Sequence, residues 1–217
     1  MNTDDKDQET VVLLHGMGRS RRSMRRMATR LQEAGFATCN FPYAPTFHRF
    51  DTIVSKLHDF IVAEVKTPRY HLVGHSLGNI IIRAGFRHAY PTELGRIVMV
   101  APPNHPPKLA RNLRCFPPYR IWGGDSGQQL ASKAFYDTLP TPDVPFGVIA
   151  GNMGQGLTFK EPNDGIVTVE STRLCGMADH LILPHTHTFI MNSPEVAAAT
   201  VAFLREGTFP NLPAKDE

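Results

Sequence analysis

Apolar residues along this chain come in two rhythms, short unbroken runs and longer stretches in which they recur at helical spacing. Unbroken runs bounded by turn signals predict strands buried on both faces, and the longer period predicts helices with one face in the core. The first run, Thr10–Leu14, ends at His15-Gly16-Met17-Gly18. A helix starting near Ser20 follows, with Met24, Met27, Ala28 and Leu31 as its apolar stripe. Residues 36–41 form a second strand stopped by Pro42 and Pro45, and residues 50–65 a helix facing inward through Ile53, Val54, Leu57, Phe60, Ile61 and Val65. Residues 70–73, 96–100, 146–150 and 180–183 read as four further strands. Helices are expected over 77–89, through Leu77, Ile80, Ile81, Ala84 and Gly85, and over 193–205, where Ser-Pro-Glu is a good N-terminal signal. Such alternation implies right-handed crossovers: an α/β fold, doubly wound, with a mostly parallel sheet of about six strands and helices on both faces.

One stretch breaks the rhythm. Residues 101–145 carry nine prolines and read as an irregular excursion, with one helix over 127–139 turned inward through Leu130, Ala134 and Phe135. Leaving the carboxyl end of a parallel strand, it is expected to lie where such sheets bind ligands, as a small lid or substrate wall. With 217 residues, 41% of them hydrophobic, the chain is expected to bury one core as a single domain, 1–217. No run of ~18 apolar residues is present, which excludes stable membrane insertion through a helix. The polar, acidic first residues do not resemble a signal peptide, so a cytoplasmic location is expected. Cys39, Cys115 and Cys175 are widely spaced and suggest packing residues, neither a disulfide framework nor a thiolate metal site.

The net charge of +3 is too small to imply nucleic acid as a partner, but six arginines fall between Arg19 and Arg30. Arg22, Arg25 and Arg26 share a helix face, with Arg30 a turn further along, and that face is either a solvated surface or an anion-attracting rim beside a site.

The chemistry centres on Gly74-His75-Ser76-Leu77-Gly78, a G-x-S-x-G frame between an apolar strand and a helix. A tight strand-to-helix turn strains the serine backbone, lifts its hydroxyl clear of the sheet and aims the next N–H, that of Leu77, at the same reacting atom. A serine needs a base, and the base a carboxylate, in the chain order serine, acid, histidine. Asp164, in a turn after the fifth strand, is the candidate acid, with Glu161 on the same loop and Asp125, Asp137 and Asp143 in the excursion as rivals. His185 and His187 both follow the sixth strand, and position alone does not choose between them. His180, His185 and His187 lack a matching carboxylate or cysteine, so neither a metal nor a cofactor is expected. A second oxyanion donor is expected from the first strand's loop, where Gly16 and Gly18 allow close approach and Met17 N–H is the candidate, with His15 supporting the loop.

Together His15-Gly16-Met17-Gly18, the G-x-S-x-G frame, Asn163-Asp164-Gly165-Ile166-Val167 and Thr186-His187-Thr188-Phe189 resemble the α/β-hydrolase superfamily, in particular its small bacterial lipase- and esterase-like members. The resemblance covers residues 11–204. It implies His187 as base, Asp164 as acid, and Met17 and Leu77 as oxyanion donors. The chain departs from many lipase relatives at Ala101-Pro102-Pro103-Asn104-His105-Pro106-Pro107, the expected acyl-pocket wall. Asn104, Arg22 and Arg25 are the candidate substrate contacts. The expected activity is hydrolysis of a small-molecule acyl ester or lipid-like substrate through an acyl-enzyme. A thioesterase or acyltransferase would use the same residues, and a non-catalytic binding protein retaining the fold is the alternative of another class. Oligomeric state is left open.

Overall fold

The computed structural model of the protein describes residues 8–91, 93–106, 117–154 and 159–210, with the backbone alone for 117–122. Six parallel strands form one sheet in the order β2-β1-β3-β4-β5-β6. They are β1 (Thr10–Leu14), β2 (Ala37–Asn40), β3 (Tyr70–His75), β4 (Leu94–Val100), β5 (Phe146–Gly151) and β6 (Asp179–Leu183). Between β1 and β2 lie a 3-10 turn, Arg21–Met24, and α1 (Arg25–Glu33). Helix α2 (Phe50–Glu64) precedes β3 and α3 (Leu77–Gly85) follows it. Helices α4 (Pro117–Leu130) and α5 (Lys133–Asp137) lie in the excursion, α6 (Val169–Thr172) precedes β6, and α7 (Pro194–Glu206) closes the described chain.

Alternation along the strands divides the core in two. Val12, Leu14, Leu72, Ile97, Met99 and Val148 face α2, α3 and the excursion, while Val11, Leu13, Val73, Val98, Val100 and Ile149 face α1 and α7. Burial of an apolar side chain of this size contributes about 1.5–3 kcal/mol. Both faces are covered, as the unbroken apolar strands require. The chain winds from β1 outward to β2 and then crosses back to β3, so the winding reverses between β1 and β3. The carboxyl ends of those two strands frame the crevice where such sheets place their ligands.

Several elements differ from the sequence expectation, each because of a particular contact. Helix α3 stops at Gly85, and Tyr90 occupies the space beside it, with its hydroxyl donating to the Ile82 carbonyl at 2.9 Å. All of α3 is buried, including Asn79 and Arg83, rather than one face of it. The expected helix over 127–139 is two: Ser132 accepts from Phe135 N–H and caps α5, leaving Ala134 exposed while Phe135, Tyr136 and Leu139 are buried. Gly124 bends α4 at φ 55, where a side chain would stand 2.6 Å from the Thr46 carbonyl oxygen. The next residue, Asp125, accepts from Phe50 N–H at 2.8 Å and caps α2 from across space. Of the cysteines, Cys39 is half-buried against the core, Cys175 is exposed rather than packed, and Cys115 lies outside the described residues.

His15, His71 and His75 are buried, and burial lowers the pKa of all three. Below about pH 6.5 the unfolded chain takes up protons at these rings that the folded chain refuses, so stability falls as pH falls and recovers as pH rises. Melts followed by circular dichroism from about pH 7.5 to 5 are expected to show a decreasing Tm, with a shallower slope in His71→Asn. A Tm independent of pH in that window would show that these rings are not held neutral by the fold.

Candidate active site

Ser76 stands at the carboxyl end of β3 with φ 53 and ψ −118, a conformation that costs about 1–3 kcal/mol for a residue with a side chain. Its backbone N–H donates to the Val100 carbonyl at 3.0 Å, tying the turn to β4. The flanking glycines have a steric reason. A Cβ on Gly74 would meet Asn79 Oδ1 at 2.3 Å, and one on Gly78 would meet the Leu14 carbonyl oxygen at 2.7 Å. From the other side, a Cβ on Gly16 would lie 3.1 Å from Ser76 Cβ, so the loop after β1 rests directly on the serine turn. Among the described residues, no hydrogen bond engages the N–H of Leu77, first residue of α3, or that of Met17.

Asp164 and His187 arrive from later loops. Asn163 Oδ1 accepts from Gly165 N–H at 2.8 Å, and Gly165 takes φ 101. Asp164 Oδ1 accepts from Ile166 and Val167 N–H at 3.0 and 2.7 Å. That leaves Oδ2 to meet His187 Nδ1 at 2.7 Å, while the Asp164 carbonyl accepts from His187 N–H at 2.9 Å. His187 Nε2 lies 2.9 Å from Ser76 Oγ. With Nδ1–H donated to the carboxylate, Nε2 carries the lone pair that accepts from the serine hydroxyl. Asp164 is 2% and His187 6% exposed, so their hydrogen bond is buried, and the line opens toward solvent only at half-buried Ser76.

The rival residues lie elsewhere. His185 Nε2 lies 3.2 Å from Glu195 on α7, Asp125 caps α2, and Asp137 pairs with Lys133 on α5. Glu161 is exposed, and its carbonyl accepts from Asn163. His180 meets Thr172 Oγ1 at 3.0 Å, which disperses the three-histidine group. Among the described residues no cluster of histidine, cysteine and carboxylate groups is arranged to hold a metal. His15 is stacked on Tyr43 at 4.0 Å, and its ring nitrogens lie against the Gly16 and Tyr43 carbonyls at 2.8 and 3.1 Å. Tyr43 in turn donates its hydroxyl to the His15 carbonyl. This clasp joins the Gly16 loop to the loop after β2.

Asn104, expected as a substrate contact, is 2% exposed and uses its amide inside the protein. Its Nδ2 donates to the Thr172 carbonyl at 2.7 Å, and its Oδ1 accepts from Arg83 at 3.3 Å. Arg83 also donates to the carbonyls of Asn104, Leu139 and Pro140 at 3.2, 3.2 and 3.0 Å, so it ties both ends of the excursion to the helix behind Ser76. Burial lowers its pKa to about 10, which leaves it charged at neutral pH. Arg22 and Arg25 are exposed. It is Arg19 that reaches the histidine loop, with Nη2 3.4 Å from the Thr188 carbonyl.

Sequence reasoning missed His75, although it stands inside the motif. Buried at 2% exposure, it donates Nε2–H to the His187 carbonyl at 3.1 Å. Burial holds its pKa well below the usual histidine value, reinforced by His187, Arg19 and His15 and opposed by the hydrogen bond to His187. A neutral ring donating from Nε2 leaves Nδ1 as a bare acceptor, and Nδ1 has no partner among the described residues.

The sequence matches the alpha/beta hydrolase family over residues 11–209. The chain belongs to that family. No curated protein matches it. Among solved structures, a Bacillus licheniformis lipase in its mature form is similar, with a TM-score of 0.71, 19% identity and 94% of each chain covered. The phospholipase PlaB from Legionella pneumophila, in complex with thio-NAD, has a TM-score of 0.71 at 16% identity, covering 89% of this chain and 56% of that one. An extracellular alpha/beta-hydrolase from a Paenibacillus species has a TM-score of 0.62 at 16% identity, covering 89% and 97%. At these identities the likeness is one of fold.

His75→Leu stays close to the imidazole in volume and removes the donor to the His187 carbonyl, leaving that acceptor unpaired. Urea denaturation is expected to show a loss of about 1–3 kcal/mol. An unchanged midpoint would mean that the contact contributes nothing to holding the histidine loop.

Proposed function

We propose that this alpha/beta hydrolase is a serine hydrolase of carboxylic esters that works through an acyl-enzyme. The observation that carries the reading is the continuous hydrogen-bonded line from Ser76 Oγ through His187 to Asp164. Ser76 attacks the ester carbonyl as His187 Nε2 takes its proton, and Asp164 stabilises the imidazolium that forms. The N–H groups of Leu77 and Met17 receive the oxyanion, each worth about 2.7–4 kcal/mol of barrier. His187 then gives its proton to the leaving alcohol, and water repeats the cycle on the acyl group. The excursion over 101–145 serves as a wall of the substrate cleft within a single domain, held by the Arg83 strut.

A fluorophosphonate probe is expected to label the protein and to spare Ser76→Ala. Turnover of p-nitrophenyl esters is expected to vanish in Ser76→Ala and to fall about ten-thousandfold in Asp164→Asn, where the histidine is left in the wrong tautomer. His185→Ala is expected to retain the turnover. Serine-independent turnover, or activity lost in His185→Ala and kept in His187→Ala, would refute the assignment.

A further inference from the structure

The large apolar side chains exposed at the surface are unevenly placed. Among the described residues they are Phe47, Val62, Met153, Ile166, Ile182 and Phe189. Four of the six stand in loops leaving the carboxyl ends of strands. Phe47, 86% exposed, follows β2; Met153 follows β5; Ile166 lies two residues past Asp164; Phe189, 64% exposed, lies two past His187. These loops flank the crevice at Ser76, so the end of the sheet that carries the site is also its apolar end.

The basic segment lies on the same side. Arg19 follows the Gly16 loop and donates to Thr188, next to Phe189, and the 3-10 turn at Arg21–Met24 packs against the turn at Ile190–Asn192. Arg19, Arg21, Arg22, Arg25 and Arg26 are exposed, none forms an ion pair among the described residues, and no acidic residue occurs from Gly16 to Gln32. No described helix is long and apolar enough to cross a membrane. Exposed aromatics bordered by arginines, without such a helix, are the combination that settles in the headgroup layer of an anionic bilayer, with rings at the acyl boundary and guanidinium groups on phosphates. A second copy of the chain fits poorly, because a twofold contact through this face would set one arginine cluster against another.

We propose that this face docks on an anionic lipid surface and presents the crevice at Ser76 to lipid held there. The docking itself needs no catalysis; only the inference that the lipid is substrate rests on the function proposed above.

Co-sedimentation of the full chain with phosphatidylcholine vesicles, with and without phosphatidylglycerol, tests it. Each arginine near an anionic surface is worth roughly fivefold in partitioning, so the double variant Arg21→Glu with Arg26→Glu is expected to bind phosphatidylglycerol vesicles at least about 25-fold more weakly. Wild-type binding is expected to weaken as salt is raised, and Phe47→Ser to bind less than wild type. Ser76→Ala is expected to bind like wild type, and the arginine and Phe47 variants to hydrolyse a soluble ester at the wild-type rate. Equal affinity for the two vesicle types, indifference to the arginine variant and to salt, or a concentration-dependent dimer with no vesicle binding would each overturn the docking proposal. Binding that persists in a protein with no serine-dependent turnover would leave the docking standing and remove ester hydrolysis. Turnover without any preference for anionic vesicles would do the reverse.

Discussion

The site depends on how closely two backbone turns approach. Ser76 sits in a conformation that L-residues avoid, and the strain persists because the turn is held on several sides at once: by Val100 across β4, by Leu14 beneath Gly78, and by the Gly16 loop above. Neither the Leu14 contact at Gly78 nor the approach of Gly16 leaves room for a side chain at the glycine. The reversal of winding between β1 and β3 brings the Gly16 loop and the serine turn together, and β4 to β6 extend the sheet on the side from which the other site residues come. Asp164 and His187 then meet Ser76 from loops after β5 and β6.

Burial decides how those loops are held. A buried imidazole that stays neutral is a one-donor, one-acceptor group, and the protein uses His75 in that way, spending its N–H on the His187 carbonyl. His187 is therefore fixed through its backbone by His75 and Asp164 and through its ring by Asp164 and Ser76. Arg83 shows the complementary case. With no described carboxylate beside it, the cation is satisfied by carbonyls and one amide oxygen, and those acceptors belong to the two ends of the excursion. A buried charge of that kind is tolerable only when its donors are matched, so the excursion is bound to α3 by the need to satisfy Arg83.

Where a local pattern was strong, the fold was legible from it. All six strands lie at the expected places; the inner four, β1, β3, β4 and β5, are the apolar runs buried on both faces, while β2 and β6 at the edges are only partly buried. The differences fell where particular contacts, two of them nearby in sequence and one distant, override the periodic pattern. The helix over 127–139 splits at a serine cap, α4 bends at Gly124 to clear Thr46, and α3 is shortened beside Tyr90. Asn104 was placed at the right end of the right strand, but the direction of its side chain was set by Arg83 and Thr172, far away in sequence.

From the sequence alone came the parallel sheet, the serine turn with its glycines, and the order of the acid and the histidine after it. Each follows from covalent spacing and local steric rules. His187 was singled out from His185 in the sequence by resemblance, without any geometric reason. The tertiary structure supplies one: two residues apart on a loop, they turn to different partners, His185 to Glu195 on α7 and His187 to Asp164 and Ser76. Tertiary structure likewise decided that the apolar loop residues and the arginines share one end of the sheet. Such choices depend on where loops from separate strands converge, and the spacing of residues along one strand carries no information about that.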